Sequence, residues 1–161
     1  MRIFSLHSRI VLPEPLAEVF PFFAEARNLE VLTPDWLHFD VLTPLPITMM
    51  EGLKIDYRLR LRRMPIRWQS EITQWEPPNR FVDEQTRGPY RLWVHEHRFE
   101  ERTGGTLVED RVQYAVRGGW LVDRLLVRRD LRRIFAYRRE KLREIFGSTS
   151  TSDTQGERRT P

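Results

Sequence analysis

Apolar and polar side chains alternate along most of the first 116 residues, and a two-residue period puts successive side chains on opposite faces of a strand. Residues 2–12 set Phe4, Leu6, Ile10 and Leu12 on an inner face and end at Pro13-Glu14-Pro15. Pro15 suits the first turn of a helix carrying Leu16, Val19, Phe20, Phe22 and Phe23, which Pro21 should kink or shorten. A second short helix is expected over 27–32, stopped by Thr33-Pro34. Residues 36–43 read as a short strand and 43–52 as a loop. From Leu53 the alternation is clean: Leu53, Ile55, Tyr57, Leu59 and Leu61 face inward, and Lys54, Asp56, Arg58, Arg60 and Arg62 face water. After Met64-Pro65, the inner face continues through Ile66, Trp68, Ser70 and Ile72. Strands over 81–86, 91–99 and 106–116 follow, separated by turns at Gly88-Pro89 and Gly104-Gly105. The phase of 81–86 stays open because Phe81 and Val82 are both apolar, so Asp83 and Gln85 are not assigned to a face.

Beyond Gly118-Gly119 the period changes. Val122, Leu125, Leu126, Leu131, Ile134, Phe135, Leu142, Ile145 and Phe146 form a stripe at helical spacing, predicting one long helix over 121–146. Asp123 favours its start and Gly147 its stop. Residues 148–161 hold no apolar side chain except a terminal Pro161, which predicts a disordered tail after a single domain over 1–147. The order of strand, two short helices, six strands and a long helix predicts an α+β fold. Its curved seven-stranded antiparallel sheet would wrap the last helix and leave space between them.

Composition narrows the chemistry. The 161 residues contain no cysteine, which removes disulfides and thiolate chemistry and fits a reducing, cytoplasmic setting. No apolar run reaches the roughly 18 residues of a membrane span. The net charge is +4. Residues 117–146 alone carry ten basic against four acidic side chains. Such arginines first form a solvated face with covering stems, and an anionic membrane surface is a possible partner. Nucleic acid is not expected, since nothing in the chain resembles a nucleic-acid reader with aromatic interleaving. No oligomeric state follows from the sequence.

The candidate site centres on the strand Arg91–Phe99. Trp93, His95, His97 and Phe99 share one face. The next strand presents Asp110 and Tyr114 on the same side in either turn register, and a longer loop places His97 opposite Asp110. Tyr57, Trp68 and Ser70 join the inner face, completing a set of nine candidate ligand-binding residues. A carboxylate beside an imidazole fixes its tautomer and raises its proton affinity. His97 and Asp110 therefore read either as a satisfied buried polar cluster that hydrogen-bonds a ligand or as a catalytic base and its orienter. Metal chelation by His95 and His97 is a third reading that lacks an evident third ligand; neither metal nor cofactor is assigned.

The words Leu32-Thr33-Pro34-Asp35-Trp36-Leu37, Trp75-Glu76-Pro77-Pro78-Asn79-Arg80-Phe81-Val82-Asp83-Glu84-Gln85, Gly88-Pro89-Tyr90 and Trp93-x-His95-x-His97-x-Phe99 resemble the START-like, or SRPBCC, superfamily with its helix-grip fold, over about residues 1–146. The likeness is to the bacterial branch described as ligand-binding or cyclase/dehydrase-like. Arg117-Gly118-Gly119-Trp120 departs from the proline-containing turn of that pattern. The resemblance implies a pocket for a lipophilic molecule such as a lipid, isoprenoid or polyketide. The alternatives are a cyclase/dehydratase-type lyase and an interaction module built on the basic helix.

Overall fold

The computed structural model describes residues 1–147 and the backbone of Gln155 and Gly156. Strand β1 (Phe4–Leu12) leads into helices α1 (Leu16–Phe23) and α2 (Asn28–Leu32). Then come the short β2 (Asp40–Val41), β3 (Lys54–Leu61), β4 (Met64–Glu76), β5 (Arg80–Arg87), β6 (Leu92–Arg102) and β7 (Gly105–Ala115). The sheet order is β2-β3-β4-β5-β6-β7-β1, and all neighbours are antiparallel. Gln155–Gly156 (β8) pairs with His7 and Ser8 on the outer edge of β1. The tail expected over 148–161 otherwise lies outside the described residues.

Burial follows the alternation. Phe4, Leu6, Ile10 and Leu12 of β1 are buried, as are Ile55, Tyr57 and Leu59 of β3 and Trp93, His95, His97 and Phe99 of β6. The β6–β7 hairpin turns at Thr103-Gly104 and pairs His97 with Asp110. Gly104 takes a left-handed φ of 83° that suits glycine. Gly105 has no room for a side chain, because a Cβ there would stand 1.9 Å from the Leu12 carbonyl oxygen.

Three expectations are corrected. Residues 36–43 are mostly not strand: Asp35–Leu37 forms a 3₁₀ turn, and only Asp40 and Val41 pair with β3. Trp36 points instead toward the last helix, edge-on to Tyr137 at 5.7 Å. That helix is not continuous: α3 (Gly119–Val122) and α4 (Arg128–Phe146) flank a π-helical turn over Asp123–Val127. Asp123, expected to favour the helix start, stands at the first position of the π turn. It is fully buried, accepting hydrogen bonds from the Tyr114 hydroxyl (2.7 Å) and Arg128 (2.9 Å). The wider π turn rotates the helix surface, and Leu125 and Leu126 of the expected stripe face outward, at 61% and 39% exposure.

The rest of α4 packs as its spacing predicts. Leu131, Phe135 and Leu142 are buried, and so is Arg138, which occupies the same stripe. α1 covers one end of the sheet, where Phe20 and Phe23 meet Phe99 edge-on at 5.4 and 5.0 Å.

Candidate functional site

Between the concave sheet and α4 lies a cavity of about 190 Å³. Its walls are mostly apolar, including Leu29 of α2, Leu59 of β3, Ile72 of β4, Phe81 of β5 and Leu131 and Phe135 of α4. The polar exceptions include a cluster of Asp83, His95, His97 and Arg138, and also Glu25, Asn28 and Thr33 from around α1 and α2.

The pairing of β5 with β6 sets this cluster. Phe81 stands across from His97 and Asp83 across from His95, so Asp83 projects inward beside the two rings. Its carboxylate Oδ2 lies 2.9 Å from His97 Nε2 and 3.8 Å from His95 Nδ1. Behind the rings, Asp110 Oδ1 lies 2.9 Å from His95 Nε2. It also lies 3.2 Å from His97 Nδ1, close enough for ionic attraction but not aligned as a full hydrogen bond. Arg138 donates to both Asp110 oxygens, at 3.2 and 3.3 Å. The imidazoles lie 3.8 Å apart, and Phe81 stacks on His97 at 4.1 Å. A relay from Trp68 Nε1 to Ser70 Oγ (3.0 Å) and from Ser70 to Asp83 Oδ1 (3.4 Å) ties the cluster to β4.

Burial and charge shift these groups in different directions. Burial pushes the Asp110 carboxyl up, but Arg138 and the two histidines outweigh it and hold Asp110 well below the usual carboxylate range. Asp83 is likewise lowered: burial raises it, and the hydrogen bond with His97 leads the groups that overcome this. Burial and the neighbouring His97 lower His95, against the pull of Asp110 and Asp83. Burial also works against a charged His97, but carboxylates at both its nitrogens raise its proton affinity. One acid therefore does not raise both rings alike.

Tyr57, Trp68, Ser70, Trp93, His95 and His97 line the cavity. Phe99, Asp110 and Tyr114 share the inner face but do not reach it. Phe99 is covered by α1, Asp110 stands behind the histidines, and the Tyr114 hydroxyl is held by Asp123 at the π turn. Trp68 and Trp93 pack edge-on at 5.3 Å while both contribute to the wall. Two members were absent from the expected set. Asp83 was hidden by the ambiguous phase of β5. Arg138 belongs by composition with the solvated arginines, although its place seven residues after Leu131 and four before Leu142 marks the buried stripe.

A surface groove adjoins the cavity and shares Leu37, Leu61 and Ile134 with it. Arg60, Arg62, Arg63, Arg129 and Arg133 line the groove against a single acid, Asp130, which pairs with Arg62 at 3.0 Å. Exposed Trp36, Leu125 and Leu126 complete its walls. Among the described residues, no helix is long and apolar enough to cross a membrane.

A curved antiparallel sheet gripping a long C-terminal helix, with short helices after the first strand, defines a START-like protein of the SRPBCC superfamily. The chain belongs to the polyketide cyclase/dehydrase and lipid transport family, whose sequence pattern matches residues 12–143. That membership supports a role in binding a hydrophobic ligand. Protein CV1439 from Chromobacterium violaceum is similar in structure, with a TM-score of 0.70 at 11% identity over 90% of this chain and 98% of that one. Major latex-like protein 151 from Panax ginseng superposes with a TM-score of 0.66 at 9% identity, over 91% and 99% of the two chains. Ara h 8.0201 gives 0.62 at 11% identity, over 88% and 99%. At these identities the likeness is one of fold. A search of curated proteins finds no sequence match.

Proposed function

We propose that this protein binds and carries a hydrophobic small molecule, of lipid, isoprenoid or polyketide-like chemistry, with its apolar body against the cavity walls and one polar group at the Asp83–His95–His97 end. The observation that carries this reading is a mostly apolar cavity with a hydrogen-bonded polar cluster of Asp83, His95 and His97 in its wall. Energetics support occupancy. Dry space costs about 24 cal/mol per Å³, so about 190 Å³ corresponds to an upper bound of about 5 kcal/mol. Water entry relieves part of that cost, and a lipophilic guest relieves more.

The catalytic alternative uses His97 as a base oriented by Asp110. With carboxylates facing both nitrogens, His97 holds its proton more tightly than a free imidazole. That suits donation to a ligand oxygen better than abstraction of a proton, and we prefer binding for this reason. We further propose that the carrier works from the cytoplasm and meets anionic membranes through the arginine-lined groove beside the cavity.

Native mass spectrometry of the purified protein tests the main reading. A mass above the 19.4 kDa chain, released as a lipophilic molecule, is expected. A panel of fatty acids, isoprenoids and aromatic polyketides should contain members that raise the melting temperature. Leu29→Trp, which narrows the cavity, should abolish that rise. No added mass and no stabilisation by any member would overturn the carrier reading. His97→Ala that destroys turnover of a ligand while leaving its binding intact would favour the enzyme.

A further inference from the structure

We propose that Asp83, His95 and His97 form a site for a divalent transition-metal cation of the zinc or ferrous-iron class at the polar end of the cavity. Hydrogen-bond bookkeeping leads there. A neutral imidazole has one N–H and one lone pair. Asp110 accepts from His95 Nε2 at 2.9 Å and stands 3.2 Å from His97 Nδ1 without an aligned hydrogen bond. His95 Nδ1 then presents a lone pair, as His97 Nε2 does in the neutral ring protonated at Nδ1, and both face Asp83 Oδ2 at 3.8 and 2.9 Å. In that tautomer three acceptors converge. The Ser70 hydroxyl is directed at the other oxygen of Asp83. A proton on His97 closes the shorter contact but leaves His95 Nδ1 facing a carboxylate oxygen. A metal ion satisfies all three donors at once.

The dimensions and the surroundings agree. Donors bonded to one ion at about 2.0–2.2 Å stand about 3–4 Å apart, and these three atoms lie within 4.8 Å of one another, so side-chain rotation closes the set. Asp110 acts as the outer carboxylate that orients metal-bound imidazoles and strengthens them as donors, and Arg138 anchors it from α4. With both imidazoles neutral, as metal ligation requires, two carboxylates against one guanidinium leave a negative charge for a cation to balance. Two imidazoles and one carboxylate suit a first-row transition ion and leave coordination positions open. All three side chains line the cavity. The ion would therefore take an anionic or carbonyl oxygen of the bound molecule, and in this respect the inference deepens the carrier reading.

The test uses the full chain stripped with a chelator and titrated with Co²⁺ and Zn²⁺. One ion per chain, a visible cobalt absorption of nitrogen and oxygen ligation, and a raised melting temperature are expected. Asp83→Asn and His95→Gln should each abolish the cobalt spectrum while circular dichroism stays native. Asp110→Asn should weaken binding about 10–100-fold. His38→Gln, on an exposed residue, should change nothing. Should one site variant fail to fold, the other decides. Folded wild-type protein that takes up no ion, or uptake that survives in a folded site variant, overturns the proposal. Lipophile-induced stabilisation measured in the chelator-stripped protein addresses the cavity alone, so the two readings fail separately.

Discussion

At the residue scale, the position that ties sheet to helix is Arg138. It is buried at 7% exposure and spans from α4 to Asp110 of β7. Removing one partner of a buried pair leaves an uncompensated charge, which costs about 3–5 kcal/mol. Arg138→Met should lower stability in urea unfolding by about that much, and Arg138→Met with Asp110→Asn should recover most of it. Equal losses for the single and double variants would show that the pair does not act as a unit. On the outer face of the sheet, burial raises Glu96, but Arg80, donating at 2.6 Å, and Arg98 outweigh it and hold its carboxyl below the usual 4.5. A carboxylate with lowered pKa adds stability that is present above the unfolded value and lost as pH falls through the folded one. Glu96→Gln should therefore unfold more easily than the wild type at pH 7, with the gap closing as pH drops below about 4.5. A gap that stays constant on acidification would refute this.

At the scale of elements, the β3–β4 hairpin carries two consecutive arginines, Arg62 and Arg63, with φ of 49° and 69°. Two-residue hairpins of this kind favour Asn-Gly, because a left-handed conformation costs a non-glycine residue about 1–2 kcal/mol. The hairpin keeps arginines at this cost on the rim of the groove that adjoins the cavity. Arg63→Gly is expected to stabilise the fold by about 1 kcal/mol in urea and to weaken attachment to anionic vesicles. A variant that gained stability and kept full attachment would separate the turn from the surface. The π turn shows the converse relation. Five residues of wider helix let buried Asp123 meet Tyr114 and leave Leu125 and Leu126 outward. Periodicity alone assigns those leucines to the core, since the 3.6-residue period presumes an unbroken helix.

For the whole molecule, the grip of sheet on helix joins an apolar interior to a basic, partly apolar face. Exposed Trp120, Leu121, Leu125 and Leu126 surround the start of the last helix, and the arginines of the groove lie beside it. Lysine and arginine near an anionic bilayer contribute about 1 kcal/mol each, and salt screens them. The protein should sediment with phosphatidylglycerol vesicles at low salt, bind phosphatidylcholine vesicles weakly, and release as salt rises. Exchanging Arg60, Arg63, Arg129 and Arg133 for glutamine should abolish sedimentation without affecting ligand-induced stabilisation. Equal retention on both lipids would remove the membrane from the account.

Much of this was legible in the chain. The alternation determined which residues of β1, β3, β6 and β7 face inward, because a strand leaves only two choices for each side chain. The placing of two imidazoles on the inner face of β6 followed from the same rule. Only the tertiary structure decided what met those imidazoles. Asp83 came into place through the pairing of β5 with β6 and the irregular register between β4 and β5. Arg138 came from a helix more than 25 residues away in the chain from Asp110. The physical reason is range: periodicity expresses the neighbourhood of each residue along the backbone, whereas a buried cluster is closed by partners that register and packing bring together.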